Sequence, residues 1–99
     1  MLPTPQRPTP GEVLRDLLRD RRMSQTSLAA STGLRVQHVN QIVKGRRRVT
    51  ARTALLFSRA LRTKPEFWLQ LQAHADLAGL MNERRRHYDR GKPARTSGQ

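Results

Sequence analysis

One stretch, residues 24–44, constrains the fold of this chain more than any other. It predicts two short helices joined by a tight turn at Gly33, a position where positive φ favours glycine. Ala29 is small enough for the second helix to cross over it. Val39 and Ile42 lie where apolar residues fix the angle between the helices. This spacing is typical of a helix-turn-helix, and an ordinary helical hairpin in a bundle is the alternative.

The distribution of charge favours a nucleic-acid-binding motif over the plain hairpin. The 99-residue chain carries a formal net charge of +13. No acidic residue lies between Asp20 and Glu66, whereas that interval holds eleven Lys or Arg residues. A surface of one sign repels itself and suits a polyanion. Residues 24–44 lack the wide apolar face that an interfacial membrane helix needs, so DNA is favoured over a membrane.

The composition argues against several other classes of protein. The absence of cysteine removes disulfides and thiolate metal sites. No run of about 18 apolar residues is present, and the N-terminus is rich in proline rather than apolar like a signal peptide. His38, His74 and His87 lie on different predicted elements, without a nucleophile or paired carboxylates at useful spacing. We therefore expect no catalysis, no cofactor, no metal and a cytoplasmic location.

The chain divides into an arm, a helical domain and a tail. Residues 1–8 predict an extended proline-rich arm, either a disordered leader or a segment that grips a partner or the DNA. Residues 9–82 predict one domain of five helices with a modest core. Residues 83–99 are polar, basic and without periodicity, so we expect frayed helix that passes into disorder.

Start signals and apolar periodicity place the individual helices. Thr9 and Glu12 predict a capping box at the start of the first helix. Ser24 and Thr50 suit the caps of the second and fourth helices. The fifth helix is expected over residues 65–82. In the third helix the periodicity predicts an inward face that consists of Val36, Val39, Ile42 and Val43.

The polar face of the third predicted helix is a candidate for base recognition. Gln and Asn can pair bidentately with adenine, and Arg or Lys with guanine. Gln37 and Gln41 lie one turn apart at the centre of this face and are the strongest candidates. A solvated polar face without a ligand is the alternative. The full set of candidate base-reading residues is Arg35, Gln37, His38, Asn40 and Gln41.

Polar and basic residues on either side of this face are candidates for phosphate contacts. The first turn of the second helix presents free amides to a phosphate. Three arginines follow the third helix directly, where the duplex backbone would pass. A merely solvated charge run is the alternative. The candidate phosphate contacts are Ser24, Gln25, Lys44, Arg46, Arg47 and Arg48.

The fifth predicted helix carries more apolar side chains than one face of a small domain can hide. The surplus indicates a contact with a second subunit or a partner. On the fourth helix, Leu55 is expected in the core and Leu56 on the outside. The candidate interface residues on the fifth helix are Phe67, Trp68, Leu71, Leu77 and Leu80.

Four blocks of sequence, in this order and at these distances, resemble a known family. They are PGEVL at 10–14, the helix-turn-helix at 24–44, VTARTALLFSRAL at 49–61 and PEFWLQLQ at 65–72. Together they resemble the HigA-type antitoxins, a branch of the XRE-like (lambda-repressor-like) DNA-binding fold, over most of the chain. The resemblance implies an all-α, five-helix domain whose second and third helices dock in the major groove.

The resemblance also implies a biological role. It implies a dimeric antitoxin encoded beside a HigB-type toxin, a RelE-like ribonuclease that cleaves mRNA. Such an antitoxin silences the toxin by binding it and represses their operon at a palindromic site in double-stranded DNA. The chain departs from the family pattern at Arg35, Arg52 and Ala75, where proline, an acidic residue and tyrosine are frequent. The alternatives are a stand-alone XRE-type repressor and a basic protein that coats nucleic acid without sequence preference.

Overall fold

The computed structural model describes residues 7–98, with side chains through residue 83. Most of the predicted N-terminal arm, residues 1–6, and the last residue lie outside this range. The described backbone forms five α-helices and no strand, which confirms the predicted all-α architecture. The helices are α1 Pro10–Asp20, α2 Gln25–Thr32, α3 Val36–Val43, α4 Ala51–Leu61 and α5 Pro65–Gly98.

The start of α1 is fixed by its cap and by a close approach to α3. Thr9 Oγ1 accepts a hydrogen bond from the Glu12 amide at 3.1 Å, and Glu12 Oε1 accepts one from the Thr9 amide at 3.0 Å. This is the predicted capping box. Gly11 is buried, and a Cβ at this position would lie 2.5 Å from the carbonyl oxygen of Val43 and closer still to that of Ile42. The N-terminus of α1 therefore packs directly against the C-terminal end of α3.

The helix-turn-helix has the predicted turn. Ser24 Oγ caps α2 by accepting a hydrogen bond from the Ser27 amide at 3.0 Å. Gly33 ends α2 with φ 80° and ψ 6°, and its amide donates to the Ala29 carbonyl at 2.9 Å. Glycine adopts this left-handed conformation without the steric penalty of a Cβ. Ala29 is buried, and α2 packs against α3.

The hydrophobic core is closed by Trp68 from α5. This indole is fully buried, and its ring packs edge-to-face against Phe57 with 5.2 Å between ring centroids. Its Nε1 donates to Thr63 Oγ1 at 2.7 Å, so the polar end of the side chain is satisfied within the same chain. The buried apolar set consists of Leu14, Leu18, Leu28, Ala29, Val39, Ile42, Val49, Ala54, Phe57, Leu61 and Trp68.

Three side chains lie differently from the prediction. Val36 was expected to face inward but is 42% exposed, because it stands in the first turn of α3 at the edge of the apolar stripe. Leu55 is exposed and Leu56 is half-buried, the reverse of the expectation. Both leucines flank the buried stripe of α4. Which flank is covered depends on how the neighbouring helices pack, and periodicity does not report this.

The fifth helix is longer than the sequence predicted. Its backbone is helical through Gly98, whereas the expected end was near Asn82. Residues 83–86 are Glu and Arg, which favour helix, and no proline interrupts the sequence before position 93. Among the described residues, no helix is both long and apolar enough to cross a membrane.

Candidate nucleic-acid interface

The outward face of α3 presents the two strongest candidate base-reading residues. Val39 and Ile42 anchor the opposite face of this helix in the core, where both are buried. Because one turn contains 3.6 residues, the side chains of Gln37 and Gln41 stand on the outer face, and both are exposed. Arg35, the N-cap residue of α3, is exposed beside them. Amide side chains in this position can form bidentate hydrogen bonds with base edges.

A hydrogen bond between side chains couples α3 to the first turn of α2. Asn40 Nδ2 donates to Gln25 Oε1 at 3.0 Å, and both residues are half-buried. The bond uses the acceptor of Gln25 and leaves its amide NH₂ group to donate outward. Asn40, predicted as a base reader, thus lies between the two helices, where it orients Gln25. Periodicity did not indicate this pairing because the partners are on different helices.

His38 lies on the flank of α3, half-buried, apart from the two exposed glutamines. Burial, and then the positive charge of Arg47, lower the pKa of this imidazole below its ordinary value of 6.5. The neutral form of the side chain therefore predominates at pH 7. Within residues 7–83 there is no cluster of three or more His, Cys, Asp or Glu side chains that could hold a metal ion.

The basic loop, residues 44–48, continues directly from the C-terminus of α3. Gly45 adopts φ 74° and ends the helix. The amide of Arg46 donates to the Gln41 carbonyl at 2.8 Å, which folds the loop back onto the last turn of α3. Lys44, Arg46 and Arg47 are exposed and make no ion pair with another described residue. Their charges are therefore available to a phosphate backbone.

Arg48 differs from the rest of the basic loop because α5 holds it. Its guanidinium forms an ion pair with Asp76. Gln72 bridges the same carboxylate and the loop: its Nε2 donates to Asp76 Oδ1 at 2.8 Å, and its Oε1 accepts from the Val49 amide at 2.7 Å. The Gln72 hydrogen bond, together with the hydrogen bond and the charge of Arg48, lowers the pKa of Asp76 below its ordinary value. Arg48, predicted as a phosphate contact, is thus shared with an acidic partner.

Sequence reasoning missed Gln72 and Asp76. The available signal was a pair of polar residues four positions apart in the most apolar stretch of the chain, which places both on one face of the helix. Nothing in the local sequence indicated that this face meets the loop after α3. That contact arises from tertiary packing, which brings residues 48 and 76 together across the chain.

The candidate interface residues of α5 separate into two groups. Trp68 is fully buried in the core and Leu71 packs half-buried against it, so Trp68 is corrected from interface to core. Phe67, Leu77 and Leu80 are exposed, the last two at 56% and 63%. They are three of the five large apolar side chains that the described part of α5 exposes; this number is unusual for a small domain and fits a covered surface.

The sequence matches the model of the helix-turn-helix family HTH_3 over residues 14–68, which contains all of α2, α3 and α4. No protein with a curated functional description matches the chain.

Several solved structures share the fold over most of their length. An antidote protein of a plasmid maintenance system from Nostoc punctiforme has a TM-score of 0.83 and 28% identity, with 87% of this chain and 94% of that chain covered. A HigA-family addiction module antidote protein from Coxiella burnetii has a TM-score of 0.73 and 32% identity, with 84% and 91% covered. The antitoxin HigA of Pseudomonas aeruginosa, solved with the higBA promoter, has a TM-score of 0.71 and 26% identity, with 95% and 96% covered. The resemblance to HigA-type antitoxins is confirmed.

Proposed function

Because the chain belongs to the XRE-like helix-turn-helix family, we propose that it is the antitoxin of a type II toxin–antitoxin pair. It represses its own operon by binding a specific sequence in double-stranded DNA. It also neutralises a HigB-type toxin, a RelE-like enzyme that cleaves mRNA, by direct binding. The chain acts as a binding protein in the cytoplasm and is not itself an enzyme.

The observation that carries the DNA-binding part is the combined surface of α3 and the basic loop. Gln37 and Gln41 stand exposed on the outer face of α3, and the exposed charges of Lys44, Arg46 and Arg47 follow at its end. In this proposal the glutamines contact base edges in the major groove. The cations and the N-terminus of α2, with Ser24 and Gln25, contact phosphates.

We propose that the DNA-bound form is a homodimer on a palindromic operator. Two copies of α3 would enter successive major grooves about 34–36 Å apart, which matches one turn of the duplex. Three of the exposed apolar residues of α5, namely Phe67, Leu77 and Leu80, are the proposed contact between the subunits. Repression then follows from occupation of the promoter.

The toxin-binding part is supported by the likeness to HigA-family antitoxins, which extends over 84% of this chain in the Coxiella structure. A stand-alone repressor without a toxin partner is the alternative function, since the α3 surface serves both equally. Co-expression with the neighbouring reading frame separates the two. The antitoxin proposal predicts that this frame arrests growth when expressed alone, and that the two proteins co-purify when expressed together. If expression of the neighbouring reading frame alone does not affect growth, the stand-alone repressor is the remaining function.

Binding to the DNA upstream of its own gene tests the repressor function directly. We expect a preference over a scrambled duplex that persists at about 0.15–0.2 M salt, where non-specific binding has weakened by orders of magnitude. Equal binding to both duplexes, collapsing as salt is raised, would instead indicate a basic protein without sequence preference.

A matched pair of variants assigns the roles of the two surfaces. Gln41→Ala should reduce discrimination at one base position by about 1–3 kcal/mol, because it removes a bidentate contact. Arg47→Ala should weaken binding to all sequences alike and reduce the salt dependence by about one unit. Equal loss on every sequence from Gln41→Ala would contradict its assigned role.

A further inference from the structure

We infer that Val36 reads the 5-methyl group of a thymine in the major groove. This inference rests on the proposed function, the recognition of DNA by α3. It adds to the polar contacts a specificity-determining residue whose side chain forms no hydrogen bond.

The position of Val36 is the first observation. It is the first residue of α3, directly after the N-cap residue Arg35, and its side chain is 42% exposed. In helix-turn-helix proteins the N-terminal residues of the recognition helix contact base edges. Gln37, the next residue, is exposed on the outer face. An isolated exposed valine elsewhere would be ordinary, but this one stands at the leading end of the helix that enters the groove.

The orientation of Val36 is fixed by its surroundings. One turn of α3 separates Val36 from Asn40, so the two side chains share a stripe along the helix. Asn40 Nδ2 donates a hydrogen bond to Gln25 Oε1 of α2 at 3.0 Å. This bond helps to fix the rotation of α3 about its axis relative to the first turn of α2. A valine in a helix has one strongly preferred χ1 rotamer. Its two methyl groups are therefore presented in a defined direction.

The chemistry of the groove then limits the partner of Val36. Base edges in the major groove carry hydrogen-bond donors and acceptors, and the only methyl group among the four standard bases is the C5-methyl of thymine. Valine cannot replace the water molecules that solvate a polar edge, so a polar edge opposite it would lose hydrogen bonds. A thymine methyl opposite Val36 gains van der Waals contact and loses no hydrogen bonds with water. The side chain thus favours thymine at one position of each half-site.

The test removes the methyl group from the DNA and the side chain from the protein, separately and together. The full chain selects duplexes from a random library, and each thymine of the selected site is then replaced in turn by 2′-deoxyuridine, which lacks only the methyl. We expect one thymine in each half-site whose replacement weakens wild-type binding about three- to fivefold, the effect of one buried methyl. Val36→Ala should lose most of this penalty, because the alanine methyl group retains only part of the contact. Gln37→Ala, the matched control, should keep the deoxyuridine penalty at that position.

The outcomes separate this inference from the proposed function. If a specific site is selected but no thymine couples to Val36, the inference on Val36 fails and the repressor proposal stands. If no duplex is bound better than random DNA, the proposed function fails and the inference fails with it. Val36→Ala should fold as the wild type does, because position 36 is exposed and alanine favours helix; circular dichroism and thermal unfolding check this.

Discussion

Gly11 controls the contact between α1 and α3 at the scale of a single residue. It is buried in the first turn of α1, where the absence of a side chain lets the backbone approach the carbonyls of Ile42 and Val43. These carbonyls belong to the last turn of the helix proposed to enter the major groove. The sequence Pro10-Gly11-Glu12 thus combines three functions: a helix start, a close approach and a cap.

We predict that Gly11→Ala destabilises the fold by about 1–3 kcal/mol, because an added Cβ would overlap backbone atoms that cannot rotate away. Gly79→Ala is the matched control. Gly79 lies in α5 with no atom within 4 Å of an added Cβ, so this change should stabilise by about 0.5–1 kcal/mol. Urea unfolding followed by circular dichroism measures both. Equal stability of the two variants would contradict the proposed packing.

Helical periodicity determines the positions of some of these side chains and leaves others undetermined. Gln37 and Gln41 could be placed on the outer face of α3 because a helical period fixes which residues oppose the buried stripe. The exposure of Val36 could not be predicted in this way, because Val36 lies at the edge of that stripe, where packing of the neighbouring elements determines how exposed a side chain is. Trp68 was assigned to an interface because α5 has many apolar residues, and a count does not say which of them the rest of the chain covers.

At the scale of elements, α5 and the loop after α3 are joined by one polar network. Gln72 links Asp76 to the backbone of Val49, and Asp76 in turn holds Arg48. The α-helical elements and their order could be predicted from caps and periodicity. This network could not, because its members lie on segments that only the tertiary fold brings together.

The pKa of Asp76 gives this network a dependence on pH. Because the pKa is lowered in the folded state, the charged carboxylate stabilises the fold above its ordinary pKa of 3.8, and this contribution is lost as pH falls through the lower folded-state value. We predict that Asp76→Asn is less stable than wild type near neutral pH. The difference should disappear when the pH falls below the folded-state pKa of Asp76. Urea unfolding over a series of pH values measures it.

Asp16→Asn is the control for the Asp76 experiment. Asp16 pairs with Arg19 on the surface of α1 at 3.4 Å, with both side chains more than half exposed. Such a pair contributes little to stability, so Asp16→Asn should have nearly the same free energy of unfolding as the wild type at each pH. A stability difference for Asp76→Asn that is the same at every pH would show that the carboxylate charge plays no part.

At the scale of the whole molecule, the surface proposed to read DNA and the apolar surface of α5 are built from different elements. Bases and phosphates are assigned to α2, α3 and the basic loop, and subunit contact is assigned to α5. The ion pair between Arg48 and Asp76, together with the hydrogen bonds of Gln72, connects the basic loop to α5. A dimer that positions two copies of α3 therefore also positions two copies of this connection.

We predict that Leu80→Glu dissociates the proposed dimer while the monomer stays folded, because Leu80 is 63% exposed and contributes little to the core. A buried charge without a partner is costly at an interface. The affinity of this variant for the operator should fall because the dimer is lost. Asn82→Asp adds the same charge at an exposed position of α5 that lies on the other side of the helix from Leu77 and Leu80, and it should leave the dimer intact. Sedimentation velocity measures both, and a dimeric Leu80→Glu variant would move the interface away from this position.

The hydrogen bond between Asn40 and Gln25 has a consequence for the kinetics and entropy of recognition. Ordering a side chain at an interface costs about 0.5–1.5 kcal/mol in rotamer freedom. For Gln25 that loss has already occurred on folding, because Asn40 holds its amide in place at 3.0 Å. The contact surface is thus preorganised, and encounter with DNA requires less rearrangement at the first turn of α2. A chain with Asn40→Ala would have to order Gln25 at each encounter, which would shorten the residence time on the operator.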